Sequence, residues 1–442
     1  MSSEAGAKPE VDENILMKHE ESVQVFLDID GNPYPVGNLW FHNGRESTSF
    51  QYDAAWLSGA FGFSIDPQLP AYHGMFHADR LFGVFSDAAP DRWGRLLMRK
   101  GNATGRTLST MDYLLQVDDA LRMGALRFRR GEGPFLAEKS PIRIPPLTEL
   151  PRLVAAAQRL DAGNDAQELK DIQMLLRPGS SLGGAHPKSV VIDRDGSWWM
   201  AKFPGIHAED KYRAHWEYLA VCLAQRCGIS VPEHRLMPLA GNVSVFLTKR
   251  FDRDYQGNRV HYASAMTLLN AQDGDMRSYE EMAESLRELN VPTHDIQALW
   301  HRIAFFVLIS NVDDHLRNHG VIWSSSTKFR LSPAFDMNPA SPSQDRSIHG
   351  TTLQASGPAK LNFAMVWAVA KDFMVQESKA REMIRKTIET VYTWAEEAKR
   401  IHIPKMEVDR YRSAFIHEDL RSAQEVIRIQ SSPSRSFLNG PS

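Results

Sequence analysis

Asp313 and Asn318 stand five residues apart in the segment Asn311-Val-Asp-Asp-His-Leu-Arg-Asn318, and another acid, Asp336, closes Pro333-Ala-Phe-Asp336. Phosphoryl transfer needs positioned phosphates, one or two Mg²⁺ ions and a carboxylate near the attacking hydroxyl, with little covalent work from the protein. A carboxylate and an amide on one tight loop can face one site, the acid toward an acceptor hydroxyl and the amide oxygen toward metal. Asp336 comes 23 residues after Asp313, enough for a small hairpin to return it to the same place. Mg²⁺ takes only one or two protein carboxylates and shares the rest with water and phosphate. Plainer roles exist for each residue: Asp313 and Asp314 as helix caps, Asn318 as a turn residue, Asp336 as a loop acid. A rival chemistry, metal-dependent hydrolysis, is suggested by His315 and His319, four apart beside two aspartates. Gly320 and the apolar segment after it argue against that rival, because they place His319 at a strand entry.

A second constellation is Pro178-Gly-Ser-Ser-Leu-Gly-Gly-Ala-His-Pro-Lys188. Serines, adjacent glycines and a lysine before a strand can present backbone N–H groups to phosphate. It is not a Walker A loop, because Ala-His-Pro separates Gly184 from Lys188. A flexible linker is its bland reading. Lys202 ends the strand Trp198 to Phe203, where a lysine above a nucleotide pairs with phosphates and is held by a helix glutamate. Glu217 on the following helix is the candidate partner. Leu247-Thr-Lys-Arg-Phe-Asp252 ends the last strand of that lobe, a place for backbone groups to read adenine and for Phe251 to pack on the ring.

These loops need elements to position them, and the pattern predicts them. Val23, Val25 and Leu27 alternate with polar residues, and a β-rich opening third follows. A short helix begins after Pro90. Residues 131–147 hold four prolines and read as a linker. Strands at 189–192, 198–203, 233–238 and 243–249 surround a helix over 209–227 that ends at Gly228. Beyond residue 277 the period becomes 3.6, with Ile296, Leu299, Ile303, Phe306 and Val307 on one helical face that runs into Asn311. A short β segment, 321–323 then 329–331, leads to Asp336. The expected fold is therefore α+β, a two-lobed protein-kinase-like fold with a β-rich N-terminal subdomain and an all-helical C-terminal lobe. The expected divisions are a disordered arm at 1–20, the N-terminal subdomain at 21–135, a kinase N-lobe at 148–253, a helical C-lobe at 254–430 and a disordered tail at 431–442.

Composition agrees with a soluble globular protein: 43% hydrophobic, 24% charged, net charge −3 over 442 residues. A protein that grips DNA by itself usually carries a basic excess, so DNA contact is expected only through a partner. Cys222 and Cys227 read as a buried apolar pair, with no zinc site and no sign of an oxidising compartment. The polar N-terminal stretch and the lack of a run of ~18 apolar residues predict a cytoplasmic protein without a membrane span.

Taken together, the segments resemble the HipA family, the kinase toxins of bacterial type II toxin–antitoxin modules. The resemblance covers roughly residues 23–420 and rests on Ser181-Leu-Gly-Gly-Ala-His-Pro-Lys188, Lys202-Phe-Pro, Arg250-Phe-Asp-Arg253, Asp313-Asp-His-Leu-Arg-Asn-His-Gly320 and Leu331-Ser-Pro-Ala-Phe-Asp336. Phe85-Ser-Asp-Ala-Ala-Pro-Asp-Arg-Trp-Gly94 and Asp118-Asp-Ala-Leu-Arg-Met-Gly-Ala125 carry it in the N-terminal subdomain. The resemblance implies an ATP- and Mg²⁺-dependent serine/threonine kinase, with Asp313 as catalytic aspartate and Asn318 and Asp336 as Mg²⁺ ligands. It implies a nucleotide set of Ser181, Gly183, Gly184, Lys188, Lys202, Lys249, Phe251, Asp252 and His315, with residues 249–252 as the adenine-side hinge. Ser181 matches a serine whose autophosphorylation switches such kinases off, and Ser180 is the alternative acceptor. Expected partners are a HipB-like helix-turn-helix antitoxin and a protein substrate involved in tRNA charging or translation. Lys249 replaces a familiar acid, and His186-Pro187 the commoner Gln-Pro. A kinase-like module that only binds its antitoxin is the alternative from another class.

Overall fold

The computed structural model describes residues 20–42, 46–102, 105–137, 144–162, 168–176, 186–205, 210–240, 243–340, 344–345, 349–355, 357–358 and 360–428. The Gly-rich positions Ser180, Ser181, Gly183 and Gly184, residues 1–19 of the expected arm at 1–20, and the expected tail at 431–442 lie outside the described residues.

The N-terminal region is a five-stranded antiparallel sheet of β1 (Glu20–Ile29), β2 (Asn32–His42), β3 (Thr48–Tyr52), β4 (Met75–Ala78) and β5 (Leu126–Arg129), in the order β4-β3-β2-β1-β5. Its alternation is legible in β1, where Val23, Val25, Leu27 and Ile29 are all buried in a core shared with Leu39, Phe50, Phe85 and Phe128. Four short helices belong to this stretch: α1 (Ala54–Ser58), α2 (Gly83–Asp87), α3 (Arg92–Gly101) and α4 (Thr110–Gln116). Helix α3 starts where Pro90 predicts, with the Asp91 carboxylate accepting from Gly94 N at 2.7 Å as its N-cap. Its buried side chains point elsewhere than its sequence neighbours do. Trp93 and Leu97 pack with Val191, Trp199, Val245 and Leu247, in the core of the next lobe.

That lobe is a four-stranded sheet, β6 (Lys188–Ile192), β7 (Trp198–Lys202), β8 (His234–Leu239) and β9 (Val243–Lys249), ordered β6-β7-β9-β8. Helices α5 (Leu150–Asp161) and α6 (Glu168–Leu176) cover one face of it. Helix α7 (Arg213–Cys227) buries Glu217 along with Trp216, Leu219, Ala220 and Leu223. It stops at Gly228, whose φ of 93° is the left-handed cap that a Cβ would strain. Cys222 and Cys227 are buried and unbridged, as expected of an apolar pair.

The C-terminal lobe is mostly helical, from α8 (Ala265–Leu268), α9 (Tyr279–Glu288) and α10 (Thr293–Leu308) through α11 (Phe363–Ala368), α12 (Glu377–Val391), α13 (Trp394–Arg400) and α14 (Lys405–Phe415) to α15 (Glu418–Arg428). It is not all-helical. A three-stranded antiparallel sheet, β10 (His261–Ser264), β11 (Gly320–Ser324) and β12 (Lys328–Leu331), returns the chain from Asn318 to Asp336. The hairpin β11–β12 is legible from its apolar run, whereas β10 is four residues whose partners lie 56 to 62 positions away. Among the described residues no helix is long and apolar enough to cross a membrane.

Candidate active site

Helix α10 aims the loop that carries Asp313. Its apolar side chains, including Leu299, Trp300, Ile303 and Phe306, are buried, so the helix end is fixed against the lobe's core. Ser310 then reverses the chain with φ at 54°, and its Oγ donates to Ala414 O at 2.9 Å. Asn311 Oδ1 accepts from Asn338 N at 2.9 Å, and Ala340 N donates to Ser310 O at 2.8 Å. Those two bonds tie the Asp313 loop directly to the Asp336 loop, across the intervening sheet.

Asp314 is the loop's anchor. It is fully buried, with Oδ2 accepting from the Tyr279 hydroxyl and lying 2.7 Å from His319 Nε2. Burial works against its ionised form, but His319 and Tyr279 outweigh it and hold the carboxyl below the usual range. Asp313 is instead exposed to a cleft of about 630 Å³. Partial burial and the nearby Asp336 push its carboxyl above the ordinary carboxylate value, against the pull of His315 and Arg213. His315 lines the same cleft, while His319 is buried against Asp314. The two histidines therefore diverge, and among the described residues no cluster of three histidine, cysteine or acidic side chains could hold a metal. The hydrolase alternative loses its ligand set on that geometry.

Asn318 Nδ2 donates to Asp313 O at 3.2 Å, while its Oδ1 is buried without a hydrogen-bond partner. A buried amide oxygen left unpaired costs about 1–3 kcal/mol unless something else satisfies it. A cation would satisfy it, and an amide oxygen together with the Asp336 carboxylate is the donor type that Mg²⁺ takes. Asp336 sits at φ 57°, a conformation uncommon outside glycine. Its Oδ1 lies 2.7 Å from Lys202 Nζ and 3.3 Å from Asn338 Nδ2.

Lys202 is the centre of the site. At the end of β7, its Nζ lies 2.5 Å from Glu217 Oε1 on α7 and 2.7 Å from Asp336 Oδ1 on the other lobe. Burial opposes its charge, yet the two carboxylates raise its affinity for the proton, and it holds Asp336 well below the ordinary carboxylate range. Glu217, deeper and paired with one ammonium, is pushed the other way by burial. Arg213, one turn before Glu217 on α7, presents its guanidinium to the same cleft. His186 also lines it and stays neutral near pH 7, burial and Arg213 lowering its pKa to about 4.

Behind Lys202 is a narrow apolar slot between the lobes, walled by Met200, Val221, Phe246, Thr248, Phe251 and Phe335. Phe251 and Phe335 rings face each other with centroids 5.3 Å apart. Lys249 is at its rim with its ammonium 3.3 Å from Glu233.

Of the expected nucleotide residues, Lys188 lines the cleft with its ammonium paired, and Asp252 lies away from it. The Lys188 ammonium is buried 2.5 Å from an Asp91 carboxylate oxygen, which fastens α3 to β6 at the cleft wall. Asp252 lines neither cavity. With no exposed surface, it is bound by Arg250 at 2.6 Å, Arg253 at 2.8 Å and Gly124 N at 2.8 Å. Arg250 and Arg253 also donate to the carbonyls of Ala120, Leu121 and Arg122. The Arg250–Arg253 segment and the Asp118–Ala125 segment are thus two sides of one buried polar clamp between the N-terminal region and the hinge. Sequence spacing alone missed this, because the partners are about 130 residues apart. It missed Arg213 and Tyr279 for the same reason.

A helix glutamate, a strand lysine and a loop aspartate joined across a two-lobed cleft define the protein-kinase-like class. The chain also matches the model of the HipA N-terminal domain over residues 27–129 and that of the HipA-like C-terminal domain over residues 180–395. It belongs to the HipA family. Its fold is similar to HipA of Shewanella oneidensis MR-1, solved with HipB and its operator DNA, at a TM-score of 0.65 and 14% identity over 92% of this chain and 99% of that one. A Haemophilus influenzae protein provisionally named as a kinase is 26% identical over 210 residues, 43% of this chain and 60% of the relative. A second relative so named, Y4dM of Sinorhizobium fredii, is 25% identical over 217 residues, 45% of this chain and 50% of that protein. The matches thus span about half to 60% of the curated relatives' length.

Proposed function

We propose that this protein is an ATP- and Mg²⁺-dependent protein serine/threonine kinase of the HipA toxin type. The observation that carries this reading is the Lys202 ammonium held between Glu217 and Asp336, above a cleft that Asp313 faces. In this reading the apolar slot beside Phe251 and Phe335 takes the adenine. Lys202 steers the α- and β-phosphates, and Asp313 accepts the proton of the acceptor hydroxyl. A new bond forms between that hydroxyl oxygen and the γ-phosphorus as the γ-phosphorus–bridging oxygen bond breaks, and ADP leaves. Asn318 and Asp336 would hold Mg²⁺, which when bound neutralises charge on the phosphates. Arg213 adds a fixed positive charge on the same side of the cleft.

Phosphate on Ser181, or on the adjacent Ser180, would add up to two negative charges next to the loop meant to hold ATP phosphates, a self-inactivation with a plain electrostatic cause. The similar Shewanella protein was solved with HipB and operator DNA, which supports a HipB-like helix-turn-helix antitoxin as partner here and DNA contact through it. A translation or tRNA-charging protein as substrate, and action in the cytoplasm, belong to the same reading. Calorimetric titration with a non-hydrolysable ATP analogue tests the nucleotide half. Binding that strengthens on adding Mg²⁺ and weakens at least tenfold in Asn318→Ala is expected; binding indifferent to both would overturn the site.

A further inference from the structure

The cleft extends beyond the groups that would handle the nucleotide. Its lining also takes in Pro90, Asp91, Arg92 and Arg95 and the turn Gln272–Met276. Helix α3 is therefore part of the catalytic cleft although it comes from the N-terminal region. Its position is firm, because Trp93 and Leu97 are buried in the sheet core and Lys188 is paired to its cap Asp91.

The opposite face of α3 carries Arg92, Arg95 and Arg99, spaced three and four residues apart and all exposed. That spacing puts three guanidinium groups in one stripe, and no acid follows Asp91 within the helix. Apart from Asp313, the carboxylates lining the cleft have partners. Asp87 accepts from Ser264 N and Oγ and from Thr267 Oγ1, each at 2.7 Å. Asp91 pairs with Lys188, Asp273 lies 3.2 Å from Arg317 Nε, and Asp275 accepts from Gln272 N at 2.9 Å. Arg92 and Arg95 make no ion pair among the described residues; Arg95 Nε donates to Pro90 O at 3.1 Å, and its guanidinium lies 5.1 Å from the Tyr113 ring centroid. Positive charge is thus left over on a wall of the same cleft that Asp313 faces.

We propose that the Arg92–Arg95 wall is the acceptor-docking subsite, and that it takes an acidic peptide segment flanking the serine or threonine to be phosphorylated. The proposal rests on the kinase reading above and gives it a substrate class. A nucleic acid fits less well, since the chain carries a net charge of −3 and the stripe is only one short helix long.

The test is phosphate transfer from Mg-ATP to an array of serine-centred peptides with Asp/Glu or Lys/Arg flanks, using the full chain. Wild type should prefer acidic flanks. Arg92→Glu with Arg95→Glu should lower kcat/KM for acidic peptides by about tenfold or more and raise it for basic ones, through KM, with the KM for ATP as the internal control. Arg92→Lys with Arg95→Lys should keep the preference, which separates charge from damage to the fold. Equal use of both arrays, or a preference untouched by reversal, overturns the docking subsite and leaves the kinase standing. A short single-stranded RNA that competes with peptides while flank charge has no effect also overturns it, in favour of a nucleic-acid partner. No transfer to any peptide and none to the chain itself brings down the kinase reading, and this proposal with it.

Discussion

Replacing Lys202 by Met keeps most of the apolar stem and deletes the ammonium that joins three elements. Glu217 is 4% exposed and Asp336 22% exposed, so two carboxylates would remain close together with little water. At 2.7 Å and an effective dielectric of about 20, the raw attraction across one such contact is ~6 kcal/mol. Desolvation cancels much of it, but breaking a buried pair from one side still costs about 3–5 kcal/mol. The loss should depend on pH in a defined direction. Burial already raises the Glu217 carboxyl, and without the ammonium it rises further. The folded variant then keeps a proton that the unfolded chain releases near pH 4.3, so its stability falls as pH climbs through the window between those values. Thermal unfolding of wild type and Lys202→Met at pH 5.5 and pH 8 checks this. The difference between the two proteins should be larger at pH 8, by roughly 1.4 kcal/mol for each unit of additional upward shift that lies within the window. Adding Glu217→Gln to Lys202→Met should recover part of the loss. A penalty that does not change with pH, or one that grows on acidification, would refute the pairing argument.

Asp313→Asn should abolish transfer with nucleotide affinity within about threefold of wild type, read by comparing single-turnover rates with analogue binding. Because burial and Asp336 raise Asp313, the acid limb of the wild-type rate profile should lie above the ordinary carboxylate value, with activity rising as pH increases through it. Asp252→Ala leaves Arg250 and Arg253 buried against each other and should destabilise the chain by about 3–5 kcal/mol without changing the substrate groups, seen as a lower melting temperature. Gly320→Ala places a Cβ 2.5 Å from the Ala263 carbonyl oxygen and should loosen β10 from β11, costing about 1–3 kcal/mol and slowing transfer more than it weakens ATP binding.

The elements and chemistry were legible where sequence carries a local signal. Helix α7 and its Gly228 cap, the strands around Lys202, and the helix leading to Asn311 follow from periodicity and turn chemistry. The strand–helix order names Glu217 as a candidate partner for Lys202, and only the structure shows that they meet. What was not legible depends on long-range contact. Arg250-Phe-Asp-Arg253 reads locally as a hinge against adenine, yet its charges are spent on a loop near residue 121. Lys188 reads as a phosphate ligand and lines the cleft, and its pairing with Asp91, almost a hundred residues upstream, has no local signal. Helix α3 reads as part of the first subdomain, and only the packing of Trp93 and Leu97 shows it working as a wall of the catalytic cleft. Between the adjacent Asp313 and Asp314, the spacing to Asn318 favours Asp313 for the base. The structure buries Asp314 against the Tyr279 hydroxyl and His319 and leaves Asp313 facing the cleft.

The most direct test of the central claim is the intact mass of the purified chain, wild type and Asp313→Ala, before and after incubation with Mg-ATP, followed by peptide mapping. A phosphate gained by wild type within the peptide containing Ser180 and Ser181, and absent from Asp313→Ala, is the expected result. A dephosphorylated wild-type sample that binds ATP yet gains no phosphate, alone or with protein acceptors, would contradict the account.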